Sequence, residues 1–290
     1  MDETQQQEMG GGGGEFLGAA EVPAPPPPLD LPAPAGPLAA EWVPGRLHVL
    51  GPLEVPGFRA RHVRVYLPST FSPAVPRFAL YMLDGQNIFE DEPSFSGGWH
   101  LHAAIERLAR SRHRVAPIVV GIDHGGEDRF SELSPFPHEE QPGRLDAFLE
   151  WLTGSLTPLL AAELPLIPGA LGAVAGGSSM GGLASLYAHF RHPEAFGGAL
   201  VMSPSFWLAD DAILRYVADR PTPEVSRIYL DCGAREGRGT LLPLVAAMAA
   251  HLGNRGYDAD HLMFRIDRRG AHNERSWRRR LPGALRFFYR

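Results

Sequence analysis

The tightest constraint on what this chain can fold into is residues 171–183, LGAVAGGSSMGGL. Residues 171–175 are apolar and read as a buried strand. Gly176, Gly177, Ser178, Ser179, Met180, Gly181 and Gly182 follow, and then Leu183, Leu186, Tyr187 and Phe190 recur at helical spacing. Strand, glycine-flanked turn, helix is the setting of a serine held at the crest of a sharp bend. Residues 177–181 fit G-x-S-x-G with Ser179 central. The chemistry explains the glycines: a side chain two residues before or after the strained serine would strike the neighbouring strand or helix. The turn also sets Ser179 at the positive end of a helix, where a developing oxyanion is stabilised. Ser178 is the alternative serine, but Met180 stands where its second glycine would be needed.

Composition narrows the class. A chain of 290 residues with 44% hydrophobic and 21% charged content is ordinary for a soluble globular protein. A net charge of −6 gives no general attraction to nucleic acid or to an anionic membrane, so neither is an expected partner. No apolar run is long enough to span a bilayer. The start, MDETQQQEMG, has no basic or apolar signal region, so a cytoplasmic location is expected. The single cysteine, Cys232, has no partner for an intramolecular disulfide and reads as a packed thiol.

Residues 1–40 read as a flexible Gly/Pro-rich tail. They contain a glycine run at 10–14 and the prolines 23, 25–28, 32, 34 and 37. One folded domain is expected over residues 46–290. Leu47, Val49 and Leu50 suggest a strand, and Gly51-Pro52 a turn. Residues 61–67 alternate, as an antiparallel strand at the sheet's edge would. Apolar strands are expected at 78–83, 116–122, 196–202, 227–232 and 262–266. Helices are expected at 99–112, at 145–164 with a break at Pro158, at 241–252, and at 274–289 with an interruption at Pro282. Strands alternating with helices mean an α/β fold with a mostly parallel sheet covered on both faces. In such sheets a site lies beyond the carboxyl ends of the strands.

A serine hydroxyl is a weak nucleophile until a base takes its proton. Two post-strand loops downstream of Ser179 carry suitable groups. Residues 233–236 offer Glu236, and residues 269–273 offer His272. Glu236 would hold the imidazole tautomer and stabilise the imidazolium. Asp231 competes for the acid's role, although its place inside a strand end also suits tying loops together. The chain has 12 histidines, and position alone singles out His272. Oxyanion donors are expected from the N–H of Met180 and from the loop 84–87, where Gln86 is the candidate. No metal-ligand spacing, Walker-type loop or dinucleotide fingerprint occurs, so no metal or cofactor is expected.

The segments LYMLDGQNIF, VVGIDHGGEDR, AGGSSMGGLASLY, SPSFW, YLDCGAREG and GAHNERSWRRRLP, in this order, resemble the putative-esterase family of α/β-hydrolases. That family includes enterochelin and other siderophore-trilactone esterases, esterase D-like enzymes and feruloyl esterases. The resemblance covers about residues 46–290. It implies an α/β-hydrolase fold and a serine esterase, with Ser179, Glu236 and His272 at the motif positions of a Ser–acid–His triad. It implies an oxyanion-hole role for the loop 84–87 and places segments 129–135 and 203–207 near the pocket. Siderophore esterases of the family can lack the triad acid, which bears on Glu236.

Pocket residues keep two readings each. Arg129 and Glu132 are three apart and either pair with each other or face the pocket, where Arg129 would bind a polar or anionic acyl group. Trp99 and Trp207 are either core or the lining of an aromatic-accepting site. The basic run 278–280 reads as a solvated helix face. The expected partner is a small-molecule ester. A siderophore lactone, an acyltransferase reaction, or a catalytically silent binding protein on the same fold remain alternatives. Oligomeric state is not indicated.

Overall fold

The runs read as strands pair into one sheet. They are β1 (Leu47–Leu53), β2 (Arg61–Tyr66), β3 (Ala79–Leu83), β4 (Ile118–Ile122), β5 (Ala173–Ser178), β6 (Gly198–Met202), β7 (Arg227–Gly233) and β8 (Leu262–Asp267). The computed structural model describes residues 38–39, 41–94, 96–111 and 113–289. The expected tail therefore lies outside the described residues, apart from Leu38 and Ala39. The strands lie in the order β1-β2-β4-β3-β5-β6-β7-β8. β2 runs antiparallel to both β1 and β4, and the pairings from β4 to β8 are parallel. Strands covered on both faces must be apolar at every position, and β3, β4, β5 and β6 are buried throughout.

Helices close both faces. In chain order they are α1 (Leu101–Ala109), α2 (Arg129–Leu133), α3 (Leu145–Trp151), α4 (Thr157–Ala161), α5 (Met180–Arg191), α6 (Ala212–Ala218), α7 (Leu241–Asn254) and α8 (Glu274–Phe288). α1 and α8 bury Leu101, Ile105, Leu281 and Leu285 against Leu80, Met82 and Leu200 of the sheet. On the opposite face Phe148, Leu183, Leu186 and Val245 pack with Tyr81, Val120 and Val201. α5 is the central helix, with every residue from Met180 to Phe190 buried. Each fully buried leucine there contributes roughly 1.5–3 kcal/mol. Leu38, Ala39 and Trp42 also pack on the core, and Glu163 accepts from the Leu38 N–H and the Trp42 indole.

Several expectations need correction. Leu171 is 70% exposed, in a short turn before β5. The strand instead continues through Gly176 and Gly177 to Ser178, and glycine lets β5 lie close to β3, since a Cβ at Gly176 would lie 2.5 Å from Met82 Sδ. β2 is not the edge, since β1 lies outside it. Gly51-Pro52 sits inside β1, where the register with β2 shifts between Leu50 and Leu53, so the signal marks a bulge and not a turn. The helix expected from 99 begins at Leu101 and ends at Ala109. Pro158 does not break its helix: α3 passes through a π-helical turn, Leu152–Leu156, into α4, whose first turn tolerates proline. α8 runs unbroken through Pro282. Burial of Trp277, Leu281, Ala284 and Leu285 outweighs the proline's cost of about 3 kcal/mol.

Candidate active site

The polar residues of interest follow the carboxyl ends of adjacent parallel strands. β5 runs straight into Ser179, whose φ of 57° and ψ of −121° are strained for a residue with a side chain. Ser178 ends β5 and is buried, whereas Ser179 is partly exposed at the crest. Backbone bonds pin the bend: Ser179 N–H donates to Met202 O at 3.0 Å, and Ser205 N–H to Ser179 O at 3.0 Å. The two motif glycines differ. A Cβ at Gly177 would lie 2.8 Å from the Gly181 carbonyl, whereas one at Gly181 meets nothing closer than 3.4 Å. The neighbouring Gly182 is the tighter position, 3.0 Å from Met202 O.

His272 and Glu236 come together. His272 Nδ1 lies 2.9 Å from Glu236 Oε2, in the loops after β8 and β7. Glu236 is buried, and the His272 side chain is 41% exposed. Burial alone would push the Glu236 carboxyl up. Hydrogen bonds from His272 and Ser203, the Arg280 charge and the Gly233 N–H outweigh it and hold the group below the usual range. Trp277 stands edge-on to the His272 ring, 5.1 Å between centroids. The Ser179 hydroxyl is bonded to Ser205 Oγ at 3.2 Å. Among the described residues no hydrogen bond joins it to His272.

Asp231 is wholly buried, and among the described residues no hydrogen bond or ion pair joins it to His272. Its carboxylate accepts from Tyr229 Oη at 2.9 Å, Arg280 Nε at 2.9 Å and Ser203 N at 3.3 Å. Burial pushes its pKa up to about 6, against the pull of Arg280. The run 278–280 is therefore not simply a solvated face: Arg278 and Arg279 are exposed, but Arg280 is buried in an ionic cluster.

Met180 opens α5, which points its first N–H groups toward the elbow. Gln86 lies in the tight turn Gly85–Asn87 after β3, and its Oε1 accepts from His124 N at 3.3 Å. Arg129 and Glu132 do not pair with each other. Arg129 is held by both oxygens of Asp84, at 2.6 and 2.7 Å. Burial would lower the Arg129 pKa, but Asp84 raises it on balance. Glu132 is fully buried against Arg61 at 3.0 Å. Trp99 is core, packed on Trp277 at 5.6 Å. Trp207 is half exposed two residues past Ser205 and stands edge-on to His138 at 6.0 Å.

Sequence reasoning missed the roles of Asp84, Ser203, Ser205 and Arg280. Three of them sit in post-strand loops, where the carboxyl-end rule already pointed. Arg280 falls three residues after Trp277, on the same helical face as Leu281 and Ala284. That spacing was the available signal.

The family model described as "Putative esterase" matches residues 58–288. The uncharacterized protein YbbA of Bacillus subtilis is 23% identical over 245 residues, covering 79% of this chain and 92% of its own. The iron(III) enterobactin esterase of Dickeya dadantii is 30% identical over 186 residues, or 64% of this chain and 39% of that protein. Among solved structures, the enterobactin esterase FES of Shigella flexneri has a TM-score of 0.65 at 23% identity, over 87% of this chain and 60% of that one. The BES protein of Bacillus cereus has a TM-score of 0.65 at 18% identity, over 86% and 97%. The chain thus spans less than two thirds of both enterobactin esterases. These structural likenesses establish an α/β-hydrolase fold. With the family match running from before β2 to the end of α8, the chain belongs to the putative esterase family.

Proposed function

We propose that this chain is a serine ester hydrolase that cleaves a small, neutral carboxylic ester through an acyl-enzyme on Ser179. The observation that carries the reading is the 2.9 Å contact between His272 Nδ1 and the buried Glu236, in the two strand loops beyond the elbow serine. In this reading the Ser179 hydroxyl turns from Ser205 toward His272 Nε2, which takes its proton as Oγ bonds to the ester carbon. The Met180 N–H and the loop holding Gln86 receive the oxyanion. The C–O bond then breaks, and the departing alkoxide takes the proton from His272. Water repeats the sequence to free the acid.

The names of two relatives give iron(III) enterobactin and the siderophore triacetylfusarinine C as the esters those proteins cleave. Against carrying an anionic iron–catecholate substrate over to this chain stands Arg129, whose charge Asp84 already neutralises. A cytoplasmic location is part of the reading, in keeping with an unpaired, buried Cys232. Fluorophosphonate labelling alongside hydrolysis of short aryl esters tests it. The expected result is a label on Ser179 and turnover that vanishes in Ser179→Ala. No label and no turnover would leave a silent binding protein. Acyl transfer to an added alcohol in preference to water would make the chain an acyltransferase, and a strong preference for a trilactone would reverse the substrate ranking.

A further inference from the structure

Among the described residues Ser203 is the buried hydroxyl bonded to the acid of the proposed triad, and the direction of its proton can be deduced. A serine Oγ has one proton and two lone pairs. Trp277 Nε1 donates to Ser203 Oγ at 2.9 Å, and Arg280 Nη2 donates to it at 2.7 Å. Neither nitrogen can accept, so both lone pairs are taken. The proton is left with Glu236 Oε1, at 2.8 Å. That oxygen also accepts from the Gly233 N–H at 2.8 Å and faces Arg280 Nη1 at 3.5 Å. With these donors aimed at it, Oε1 has no acceptor to which it could give a proton of its own. The other oxygen, Oε2, faces His272 Nδ1. Beside a permanent guanidinium charge the carboxyl is ionised, so Nδ1 must be the donor across that contact. A neutral His272 then carries its proton on Nδ1 and keeps the Nε2 lone pair for Ser179.

We propose that Ser203 is a positioning residue that fixes the tautomer of His272 through Glu236, with its donor direction imposed by Trp277 and Arg280. The inference rests on the reading of Ser179, His272 and Glu236 given above. Arg280 is itself anchored by Asp231, so the residue that competes for the acid's role acts one step behind it. Ser203 has a φ of 44°, a left-handed conformation unusual for serine. Its hydroxyl lies among Glu236, Trp277 and Arg280, a setting in which such strain is tolerated when the side chain's aim matters.

Two measurements test the proposal. The first uses the wild-type protein: ¹⁵N-histidine NMR reads the tautomer, with His272 assigned by its loss in His272→Gln. A neutral imidazole protonated on Nδ1 is expected, and one protonated on Nε2 would overturn the proposal. The second compares Ser203→Ala with Ser203→Cys, which keeps a weak donor. In Ser203→Ala, kcat and the rate of fluorophosphonate labelling should fall roughly tenfold to a hundredfold, the effect of one lost hydrogen bond to a charged group. KM should stay within about twofold, the acid limb of the pH–rate profile should move, and Ser203→Cys should recover part of the rate. Labelling carried to completion counts intact sites and corrects for misfolding. A lower melting temperature with an unchanged per-site kcat and pH profile would make Ser203 a loop tie only. If wild type itself is not labelled at Ser179, the parent reading fails instead.

Discussion

Ser179 and His272 form one unit in the proposed reaction, because the hydroxyl is nucleophilic only while the imidazole accepts its proton. Ser179→Ala, His272→Ala and the double variant should therefore lose similar activity, roughly 10⁶ in kcat. Glu236→Gln should cost less, roughly 10⁴ or below, since Glu236 orients and charges the imidazole without touching substrate. Asp231→Asn is the contrasting variant. It should lose stability, because it removes the nearest of the carboxylates that balance the buried Arg280, yet keep more turnover per folded molecule than Glu236→Gln. The reverse order in steady-state kinetics would reassign the acid. The elbow gives a second residue-level contrast. Gly177→Ala drives a methyl into the Gly181 carbonyl and should cost about 1–3 kcal/mol, whereas Gly181→Ala has room and gains helix propensity of up to about 1 kcal/mol. Urea unfolding of the two variants reads the difference directly. The motif's two glycines thus look equivalent in sequence and are not equivalent in space.

At the scale of elements, the far end of α5 is fixed by a buried histidine. His189 is bonded through Nδ1 to Phe196 O at 2.8 Å and through Nε2 to Ser226 Oγ at 2.6 Å, joining α5 to the approaches of β6 and β7. Burial pushes its pKa down to about 4. The unfolded chain, with histidine near 6.5, binds the proton first as pH falls. The stability that neutral His189 provides is therefore present above about pH 6.5 and drains away toward pH 4, on the order of 3 kcal/mol in all. Asp231 has the opposite sign: its raised pKa removes stability as pH climbs from about 4 to about 6. The clean observable is the stability gap between wild type and His189→Gln, which should narrow as pH drops across that window. The strands from β3 to β8 and the loops holding Ser179, Glu236 and His272 were legible from local pattern, because parallel strands must be apolar and sites follow their carboxyl ends. Helix continuity through Pro158 and Pro282 was not, because burial at Trp277 and Leu281, or a π-turn, outweighs the local preference of proline. Partner choice was also hidden: Arg129 and Glu132 looked matched in sequence, but the fold gives one to Asp84 and the other to Arg61.

Among the described residues, three arginine charges on the carboxyl-end side of the sheet are matched within the protein. Asp84 neutralises Arg129, Glu132 neutralises Arg61, and Asp231 and Glu236 neutralise Arg280. A neutral acyl ester should accordingly be turned over with a higher kcat/KM than the same ester carrying a carboxylate. Asp84→Asn, by releasing the Arg129 charge, should shift that ratio toward the anion, roughly tenfold if one ion pair forms with substrate. The proposed groups are also unevenly anchored. Ser179 hangs from β5, a central strand buried throughout, whereas His272 hangs from β8, which ends the sheet, pairs only with β7 and has no fully buried residue. Protein structures open in parts, and a terminal strand with solvent on its outer edge is among the first to let go. Heat should thus silence the enzyme some degrees before the fold is lost: esterase activity would fade while far-UV ellipticity stays native. Deuterium should enter the amides of residues 262–272 long before those of 173–178, so that the base, and not the nucleophile, sets the thermal limit of function.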